Sequence, residues 1–363
     1  MGKGVLRDSS VLLLSNEDVQ LVLQMSDCLA VLRRFFEEDA SGRVLTRPRT
    51  ESWLPHKRAE TFYQCKTMEG GFPYLAKYAV RIDSNITEEK RRGEMSRTEH
   101  LPLVNGGWMG MLLVFSTATG ELLGWIPDGY LQRIRVGALY ALAADYLARS
   151  DSTDVGLIGS GWQAAGQILG LHCIRNIKRV RVYSPNRANR VRFAGEMEQC
   201  LGIEVKPVGT AREAIAKADI VALATNAGQK VIEAGWVETG QHVNSIRVRE
   251  LDPLLYERCD RVVVNRAEPW IRNYFLGELC PRDVTDAALP AAPSGRSIEA
   301  REFFANKLKR SGSMEVTLFP NEASNYQLGG QFAAVAGYVI DRALENGLGR
   351  ELPAEWFSQR LPP

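Results

Sequence analysis

The sequence predicts an α/β protein in which a doubly wound parallel sheet forms one domain and an α+β arrangement forms a second. From residue 153 onward, short strands of β-branched residues alternate with helical segments, which is typical of a parallel sheet with helices on both faces. Before residue 150, several strand-like segments follow one another between helical ones, which is typical of an α+β domain. A chain of 363 residues is long enough for two such domains.

The first region contains helical and strand-like segments in a defined order. Residues 15 to 40 are predicted to form two helical pieces, and residues 130 to 149 a later helix. Strand-like segments lie between them, at residues 49 to 55, 62 to 68, 74 to 83 and 109 to 126. The last segment contains a Thr-Gly turn between two apolar runs, so we expect a hairpin there.

The second region alternates strands with helices. A strand at "VGLIG" precedes a helix over residues 162 to 175, and a strand at "RVRVYS" precedes a helix over residues 187 to 201. Further strands are expected at "IVALAT", "HVNSI" and "RVVVN". The apolar C-terminal helix needs an apolar partner, so we expect it to pack on the first region. The predicted domains are therefore residues 1 to 150 with 328 to 363, and residues 151 to 327.

Composition excludes several classes of function. The net charge of +2 gives no support for binding to nucleic acid or to an anionic membrane, and no apolar window approaches the length of a membrane span. The charged run at residues 88 to 97 mixes both signs and is predicted to be a solvated loop. The six cysteines are scattered and the four histidines lack metal-ligand spacing, so we expect a cytoplasmic protein without a metal.

A glycine-rich turn follows the first strand of the second region. Its sequence fits the fingerprint G-x-G-x-x-G/A, with a strand before it and a helix after it, at Gly159, Ser160, Gly161, Trp162, Gln163 and Ala164. In such a turn, the first glycine permits the tight bend and the second lets a pyrophosphate approach the helix N-terminus. The stretch therefore predicts a dinucleotide site.

The end of the next strand indicates which dinucleotide is bound. An acidic residue there would bind the ribose hydroxyl of NAD, whereas cationic residues accommodate the 2′-phosphate of NADP. The chain instead has Ser184, Asn186 and Arg187, with Arg190 one turn later. We therefore expect NADP(H) to be preferred over NAD(H), although NAD(H) stays possible. The alternative is that both arginines only decorate an exposed helix face.

Two later strand ends carry small polar residues. Thr225 and Asn226 follow "IVALA", and Asn244 and Ser245 lie in "HVNSI". Because the carboxyl ends of parallel strands line the crevice of a doubly wound sheet, these four residues are predicted to contact the cofactor. They are equally consistent with plain turn formation.

Several stretches of this chain match one known family in order and spacing. They are "RPRT", "YLAKYAV", "TGELLGWIPDGYLQRIRVGALYALAADYLAR", "VGLIGSGWQA", "ADIVALAT", "HVNSI" shortly before "RELDP", and "LGGQFAAVAGYVIDRA". Over most of its length the chain resembles the ornithine cyclodeaminase/mu-crystallin family. The resemblance implies NAD(P)-dependent chemistry on imines or amino acids and a homodimer. It also implies that the N-terminal region and the C-terminal helix form a substrate-binding and dimerisation domain.

The same resemblance implies three residues that bind the substrate carboxylate: Arg49, Lys77 and Arg135. Their chemistry suits the role, because a guanidinium binds a carboxylate bidentately and a lysine adds charge and a transferable proton. Lys77 is therefore the predicted general acid. The alternatives are that Arg49 is solvated, that the Lys77 stem extends to water, and that only one of Arg133 and Arg135 faces the site.

The chain departs from the family in three places, one of which is "VTLFPNEASNYQLGG", where the family usually has a shorter turn that contains a lysine. The family's cyclodeaminases carry a Gly-Gly-Asp loop after the stretch matching "HVNSI", but this chain runs "HVNSIRVRELDP", so Arg247 or Arg249 is expected to take that space. Residues 84 to 110 are longer than the family's usual connection and are expected to form a lid, a dimer contact or surface decoration. The missing aspartate weakens the expectation of ring-closing deamination.

The main hypothesis is an NAD(P)H-dependent oxidoreductase that acts on the C=N or CH–NH bond of a small imino or amino acid. A first alternative is a cyclodeaminase-type lyase that acts on ornithine or lysine with bound NAD. A second is a non-catalytic protein that binds a small ligand in the presence of NADPH. Each of these places a small molecule in the crevice between the two domains.

Overall fold

The computed structural model describes residues 10–92, 95–264, 271–275, 295–320 and 328–359. Its helices are α1 (Asn16–Val22), α2 (Met25–Ala40), α3 (Asp128–Leu147), α4 (Trp162–Ile174), α5 (Arg187–Leu201), α6 (Ala211–Ile215), α7 (Leu254–Arg258), α8 (Ala300–Ala305) and α9 (Leu328–Glu345). Its strands are β1 (Ser10–Leu13), β2 (Leu45–Thr46), β3 (Arg49–Pro55), β4 (Thr61–Phe72), β5 (Lys77–Arg92), β6 (Met95–Leu101), β7 (Met109–Ser116), β8 (Leu122–Pro127), β9 (Asp154–Ile158), β10 (Arg179–Tyr183), β11 (Glu204–Pro207), β12 (Ile220–Leu223), β13 (His242–Ser245), β14 (Arg261–Val264), β15 (Ile271–Phe275), β16 (Ser297–Glu299), β17 (Thr317–Pro320) and β18 (Arg350–Pro353).

The second sheet is the doubly wound parallel sheet that the sequence predicts. Its strands lie in the order β11-β10-β9-β12-β13-β17-β14-β16, and all of their pairings are parallel. The first five strands have the order 3-2-1-4-5 of a dinucleotide-binding fold, and β17, a later strand of the chain, takes the sixth position. Buried side chains on both sheet faces explain why these strands read as short, continuous apolar runs. The fold class is confirmed.

The first sheet is built around long antiparallel pairs. Its path is β15-β3-β4-β5-β7-β8-β1-β18, with β2 on β4 and β6 on β5. The expected hairpin is present between β7 and β8. Strand β15 joins this sheet by parallel pairing with β3, although the sequence placed its residues in the second domain. Residues between 264 and 295 thus do not all stay with the second sheet.

The prediction of a solvated loop at residues 88 to 97 is wrong. Strand β5 continues to Arg92 and pairs antiparallel with β6. The directly opposed pairs Glu88–Glu99 and Lys90–Arg97 carry like charges, but Lys90 Nζ lies 2.5 Å from Glu99 Oε2 on the diagonal between them. Such cross-strand pairing lets a run of charged residues form a strand. The longer connection at 84 to 110 therefore extends the sheet.

Helix α9 packs on β4 and β5, as the sequence predicts. The approach is so close that a Cβ atom on Gly70 would overlap the backbone of Gly330, and one on Gly329 would overlap the backbone of Glu69. Only glycine allows two backbones to meet at this distance. This contact fixes the first turn of α9 on the sheet. It lies next to the sheet face that carries Glu51, Lys66, Arg81 and Asp83, which we call the charged face.

Candidate active site

The glycine-rich turn joins β9 to α4 in a conformation that favours glycine. Gly159 has a φ of +120°, and a Cβ there would overlap the backbone oxygen of Ala224 at the end of β12. At Gly161, which caps α4, a Cβ would meet no heavy atom of the described residues within 4 Å. The first N–H groups of α4 lack partners within the helix and are favourable for an anion. The turn thus has the geometry of a pyrophosphate site.

Trp162 and Arg133 lie beside this turn. The Arg133 guanidinium stands 4.5 Å from the centroid of the Trp162 ring, and Trp162 Nε1 donates to the Gly129 oxygen at 3.3 Å. Arg133 Nε is buried and has no partner among the described residues. Burial also lowers the pKa of Arg133. This cation next to an anion site was missed, and its signal was its place in the helix that packs on α4.

The remaining predicted residues of the turn support its position. The Gln163 side chain donates to Gln132 Oε1 at 3.1 Å, and Ala164, in the first turn of α4, is buried. Ser160 Oγ donates to Ser184 Oγ at 2.9 Å, which ties the turn to the end of β10. The two strand ends that flank the predicted dinucleotide site are therefore held together by their hydroxyl groups.

The end of β10 presents two arginines, as the sequence predicts. Arg190 Nη1 donates to the Ser184 oxygen at 2.8 Å and lies 5.6 Å from the Tyr183 ring, whereas Arg187 is exposed at the first position of α5. The Asn186 side chain caps this helix by accepting from the Asn189 N–H at 3.1 Å. Positive charge is thus placed at the carboxyl end of the second strand.

Two of the predicted cofactor residues are directed into the protein interior. Asn244 is fully buried between His242, at 2.9 Å, and the backbone oxygen of Tyr140, at 3.3 Å. Ser245 is also buried and donates to the Arg247 oxygen at 2.6 Å. Both side chains are enclosed because the sheet is covered on both faces. Both side chains have partners within the chain, and contact of Asn244 and Ser245 with the cofactor stays a prediction.

A buried carboxylate, which the sequence reasoning missed, connects the ends of β12 and β13. Glu250 accepts from the Thr225 N–H at 2.5 Å, and from Ser245 Oγ and the Arg247 N–H at 3.0 Å each. Burial raises the pKa of Glu250, although these hydrogen bonds oppose the shift. Thr225 and the exposed Asn226 are thereby held at the crevice. The signal for this role was the "RELDP" stretch.

Arg135 is a buried cation that lacks a carboxylate partner among the described residues. Its Nη1 donates to Gln331 Oε1 at 3.1 Å, and its guanidinium lies 4.8 Å from the Phe332 ring. Arg135 Nε and Gln331 Nε2 are both buried donors without an acceptor in the described chain. Burial, reinforced by nearby Arg81, lowers the pKa of Arg135 to about 10. Buried donors are nearly always hydrogen-bonded in proteins, and an anionic ligand would supply the acceptors for these two.

Arg49, the first residue of β3, lies on the same face of the first sheet as Glu51, two residues later. Its Nη2 lies 2.7 Å from Glu51 Oε1, and Gln64 donates to the other oxygen of this carboxylate at 2.8 Å. Arg49 Nε is buried without a partner among the described residues. Arg49 is thus half-satisfied and is not the solvated arginine of the alternative interpretation.

Arg81 was missed and lies at the centre of this face. It pairs with Asp128 at 2.5 Å and with Asp83 at 3.3 Å, and it lies 5.2 Å from the Phe332 ring that Arg135 also contacts. Strand alternation puts Arg81 on the same face as Lys77, four residues earlier. That alternation was the signal that could have identified it.

Lys77 is not brought together with Arg135. Its Nζ lies 3.0 Å from Asp341 Oδ1 and donates to the Leu75 oxygen at 3.3 Å. The tight contact of Gly70 with the first turn of α9 lies between Lys77 and Arg81 on this face. About 15 Å of helix separates Asp341 from Gln331, given the rise of 1.5 Å per residue. Lys77 therefore secures the middle of α9.

Within the described ranges, no three His, Cys, Asp or Glu side chains converge as metal ligands. None of the helices that the structure describes is long and apolar enough to cross a membrane.

Comparison with known proteins gives relatives over nearly the whole chain. Delta(1)-pyrroline-2-carboxylate reductase of Bacillus cereus is 24% identical over 348 residues, covering 94% of this chain and 99% of that protein. Alanine dehydrogenase of Archaeoglobus fulgidus is 24% identical over 349 residues, covering 94% and 98%.

A solved structure is similar in fold. The Thermococcus litoralis Delta(1)-pyrroline-2-carboxylate reductase, in complex with NADH and L-proline, has a TM-score of 0.76 and 27% identity. The match covers 94% of this chain and 100% of the Thermococcus litoralis chain. In addition, the model of the ornithine cyclodeaminase/mu-crystallin family matches residues 10–279, which is well over half of the chain. This protein belongs to the ornithine cyclodeaminase/mu-crystallin family.

Proposed function

We propose that this protein is an NAD(P)H-dependent reductase of the C=N bond of a small α-imino acid. One observation carries the proposal: buried, unpaired donors on Arg135 and Gln331 lie in a protein whose second sheet has a dinucleotide-binding turn. A carboxylate would satisfy these donors, and a substrate of this class carries one. The reductases of Bacillus cereus and Thermococcus litoralis support the same reaction class.

The cofactor would be held by the second sheet. The turn from Gly159 to Ala164 fits the pyrophosphate, with Arg133 as an additional cation, and Thr225 and Asn226 face the nicotinamide half. When bound, a nicotinamide cofactor supplies the hydride for the imine carbon. The groups of this chain bind and orient the two partners, because proximity is a large part of catalysis in such a reaction.

The substrate would be held by the first sheet and the helices on it. Its α-carboxylate accepts from Arg135 Nε and Gln331 Nε2, with Arg49 nearby. Asp83 and Asp128 lie on the same face, and their charges stabilise a protonated imine nitrogen. Burial raises the pKa of Asp83, but Arg81 and Lys66 outweigh it and hold this pKa below its usual range. The carboxylate is therefore ionised at neutral pH.

The preference for NADP(H) is part of this proposal. It is supported by Arg187 and Arg190 at the end of β10 and by the lack of a carboxylate from Ser184 to Arg190. The Thermococcus litoralis relative was solved with NADH, so the two cofactors must be compared directly. We expect NADPH to bind more tightly than NADH, and Arg187→Ala with Arg190→Ala to abolish the difference.

A homodimer is also proposed. The face of the first sheet opposite Arg81 carries half-buried apolar side chains such as Val80, Ile82 and Leu113. A paired apolar sheet face of this kind suits a second copy of the chain. Analytical ultracentrifugation should give twice the mass of the 40.4 kDa chain. A monomer at micromolar concentration would contradict this part.

The lyase alternative is not favoured by the site. In the cyclodeaminases of this family, the Gly-Gly-Asp loop helps direct the attack that closes the ring. Here the corresponding position leads directly to Arg247, and the nearby Glu250 is occupied by backbone N–H groups. Release of ammonia from ornithine or lysine without net change of the cofactor would restore this alternative.

The experiment is a cofactor-oxidation assay at 340 nm. Purified protein is given NADPH or NADH with Δ1-pyrroline-2-carboxylate, or with 2-oxo acids in the presence of ammonium or methylamine. We expect oxidation of the cofactor with at least one imine. Tight binding of NADPH without oxidation in any of these mixtures would contradict a reductase and favour the small-ligand-binding alternative.

A further inference from the structure

A second group of unsatisfied cationic and polar side chains lies on the charged face, away from Arg135. Lys66 on β4 stands opposite Asp83 on β5 and Glu51 on β3. Its Nζ comes no closer than 4.0 Å to Asp83 Oδ2, which is an ion pair without a hydrogen bond. The Lys66 side chain is only 17% exposed. This ammonium has charged neighbours but no hydrogen bond in the described chain, so its N–H donors stay available for a ligand.

His100 completes this group from the neighbouring strand. It stands opposite Thr87, which places it on the same sheet face as Asp83. Its Nδ1 is buried and has no partner among the described residues. Burial, reinforced by the charge of Lys66, lowers the pKa of His100 to about 4. The imidazole is therefore neutral at pH 7 and keeps one N–H to donate to a ligand.

Arg247 reaches the same place from the second sheet. Its backbone N–H is fixed by Glu250 at 3.0 Å, and the side chain is half-buried. Arg247 lies close enough to His100 for its charge to contribute to the lowered pKa. Arg249, two residues later, is exposed. The short loop after β13 thus directs one of its two arginines toward the charged face.

The two groups of donors are separate. Arg81 lies between them, because it contacts the Phe332 ring shared with Arg135 and also the Asp83 carboxylate next to Lys66. One carboxylate on Arg135 and Gln331 would leave the buried His100 Nδ1 without a partner in the described chain and Lys66 without a hydrogen bond, with the Arg247 charge nearby. A ligand that satisfies both groups needs two anionic ends.

We propose that the substrate is a short dicarboxylic imino acid, with its second carboxylate bound by Lys66, His100 and Arg247. This inference rests on the proposed reductase function and names its substrate class. In the reaction, a hydride from NAD(P)H adds to the imine carbon and a proton adds to the nitrogen, so the C=N bond becomes CH–NH. The cofactor is oxidised, and both carboxylates leave unchanged.

The test is a ratio of substrate specificities. The kcat/KM with oxaloacetate plus ammonium is divided by the kcat/KM with pyruvate plus ammonium, since these mixtures form a dicarboxylic and a monocarboxylic imine. We expect a ratio above 10 for the wild type, because charge-assisted hydrogen bonds discriminate by about 10- to 100-fold. Lys66→Met and Arg247→Gln should each lower it by about 10-fold or more.

Matched controls separate this effect from a general loss of charge. Lys57→Met removes an exposed lysine of the loop before β4, and Arg249→Gln removes the exposed arginine beside Arg247. Both controls should keep the wild-type ratio. Thermal melts and NADPH titrations establish that each variant is folded, and Lys66→Gln replaces Lys66→Met if the latter is not.

The inference and the proposed function fail in different ways. Reduction of the monocarboxylic imine as fast as the dicarboxylic one overturns the inference and leaves the reductase proposal intact. If no imine is reduced, the reductase proposal fails, and calorimetric titration of L-aspartate and L-alanine into the protein with NADP⁺ tests the second carboxylate site alone. Tighter binding of aspartate, lost in Lys66→Met, supports the site, whereas equal affinities overturn it.

Discussion

The two sheets of this protein offer their ligand groups in opposite ways. In the second sheet, the binding groups are mostly backbone N–H groups placed by glycines, and polar side chains such as Asn244 are enclosed and satisfied. In the first sheet, the groups are buried charged side chains, and several of them, including Arg135, lack an acceptor among the described residues. The second sheet thus offers mainly backbone donors to a ligand, with Arg133 beside them, whereas the first sheet and its helices offer buried side-chain donors.

The largest effect is expected at Arg135. In Arg135→Met, kcat/KM for the best imine should fall by about 100- to 1000-fold, because truncating a buried charged partner costs about 3 to 4 kcal/mol. The affinity for NADPH, measured by fluorescence titration, should stay within about twofold. Arg192→Met, on an exposed face of α5, is the control and should match the wild type. Equal activity of Arg135→Met and Arg192→Met would contradict the assignment of Arg135 to the substrate site.

The glycine turn should respond in stability or in cofactor affinity, depending on the position. Gly159→Ala should lower the free energy of unfolding by about 2 to 4 kcal/mol, since its φ of +120° and the overlap with Ala224 both oppose a side chain. Gly161→Ala should fold normally but bind NADPH about 10-fold or more weakly, because its Cβ points into the open space of the turn. Chemical denaturation and titration measure both. Unchanged cofactor binding in Gly161→Ala would contradict the placement of the pyrophosphate.

The enclosed His242 of the second sheet should make stability depend on pH. Burial lowers the pKa of His242 to about 3 in the folded protein. In the unfolded chain the same imidazole takes up a proton as the pH falls through about 6.5. Stability is therefore fully present above pH 6.5 and is lost as the pH falls below it. Between pH 7.5 and 5.0, the stability advantage of the wild type over His242→Gln should shrink by up to about 2 kcal/mol in urea unfolding. A constant advantage would contradict this sign.

A smaller effect is expected at Arg133, which brings a side-chain charge to the otherwise backbone-built cofactor site. Arg133→Gln should weaken NADPH binding by about 10-fold, because one charge-assisted hydrogen bond to the pyrophosphate is lost. The KM for the imine, measured at saturating NADPH, should not change. If only this KM changes, Arg133 belongs to the substrate half.

The smallest effect is expected at Lys77, which the structure places on Asp341 at 3.0 Å. We expect Lys77→Met and Asp341→Asn to lower kcat/KM together by less than about 10-fold, since a partly exposed ion pair that secures α9 contributes about 1 kcal/mol or less. The pH profile of kcat should keep its wild-type shape in both. Complete loss of turnover in Lys77→Met alone would establish the general acid that the sequence predicts.

The sequence is informative where a pattern determines backbone geometry. The turn at Gly159 and Gly161 and the alternation of short strands predict the doubly wound sheet, because these features act locally. The sequence is less informative where strand pairing brings distant residues together. Lys66 and Arg81 join the site only through the register of β4 and β5, and the hairpin at 88 to 97 forms by backbone pairing of β5 with β6, which the mixed charges do not predict.

The surroundings of Lys77 and of Asn244 have the same physical explanation. A motif identifies a lysine or an asparagine but not the direction of its side chain, and direction depends on what packs nearby. The glycines of α9 allow the helix to lie between Lys77 and Arg81, and the helices over the second sheet enclose Asn244. Neither arrangement follows from local sequence.

Arg135 on α3 and Gln331 on α9, next to the first sheet, are proposed to bind the α-carboxylate of an imine. The most direct measurement compares the imine that gives the highest rate with the corresponding imine whose α-carboxylate is replaced by a carboxamide, at saturating NADPH. We predict that kcat/KM for the amide is lower by at least about 100-fold in the wild type, and that Arg135→Met reduces this preference strongly. Equal kcat/KM values for acid and amide in the wild type would contradict the claim.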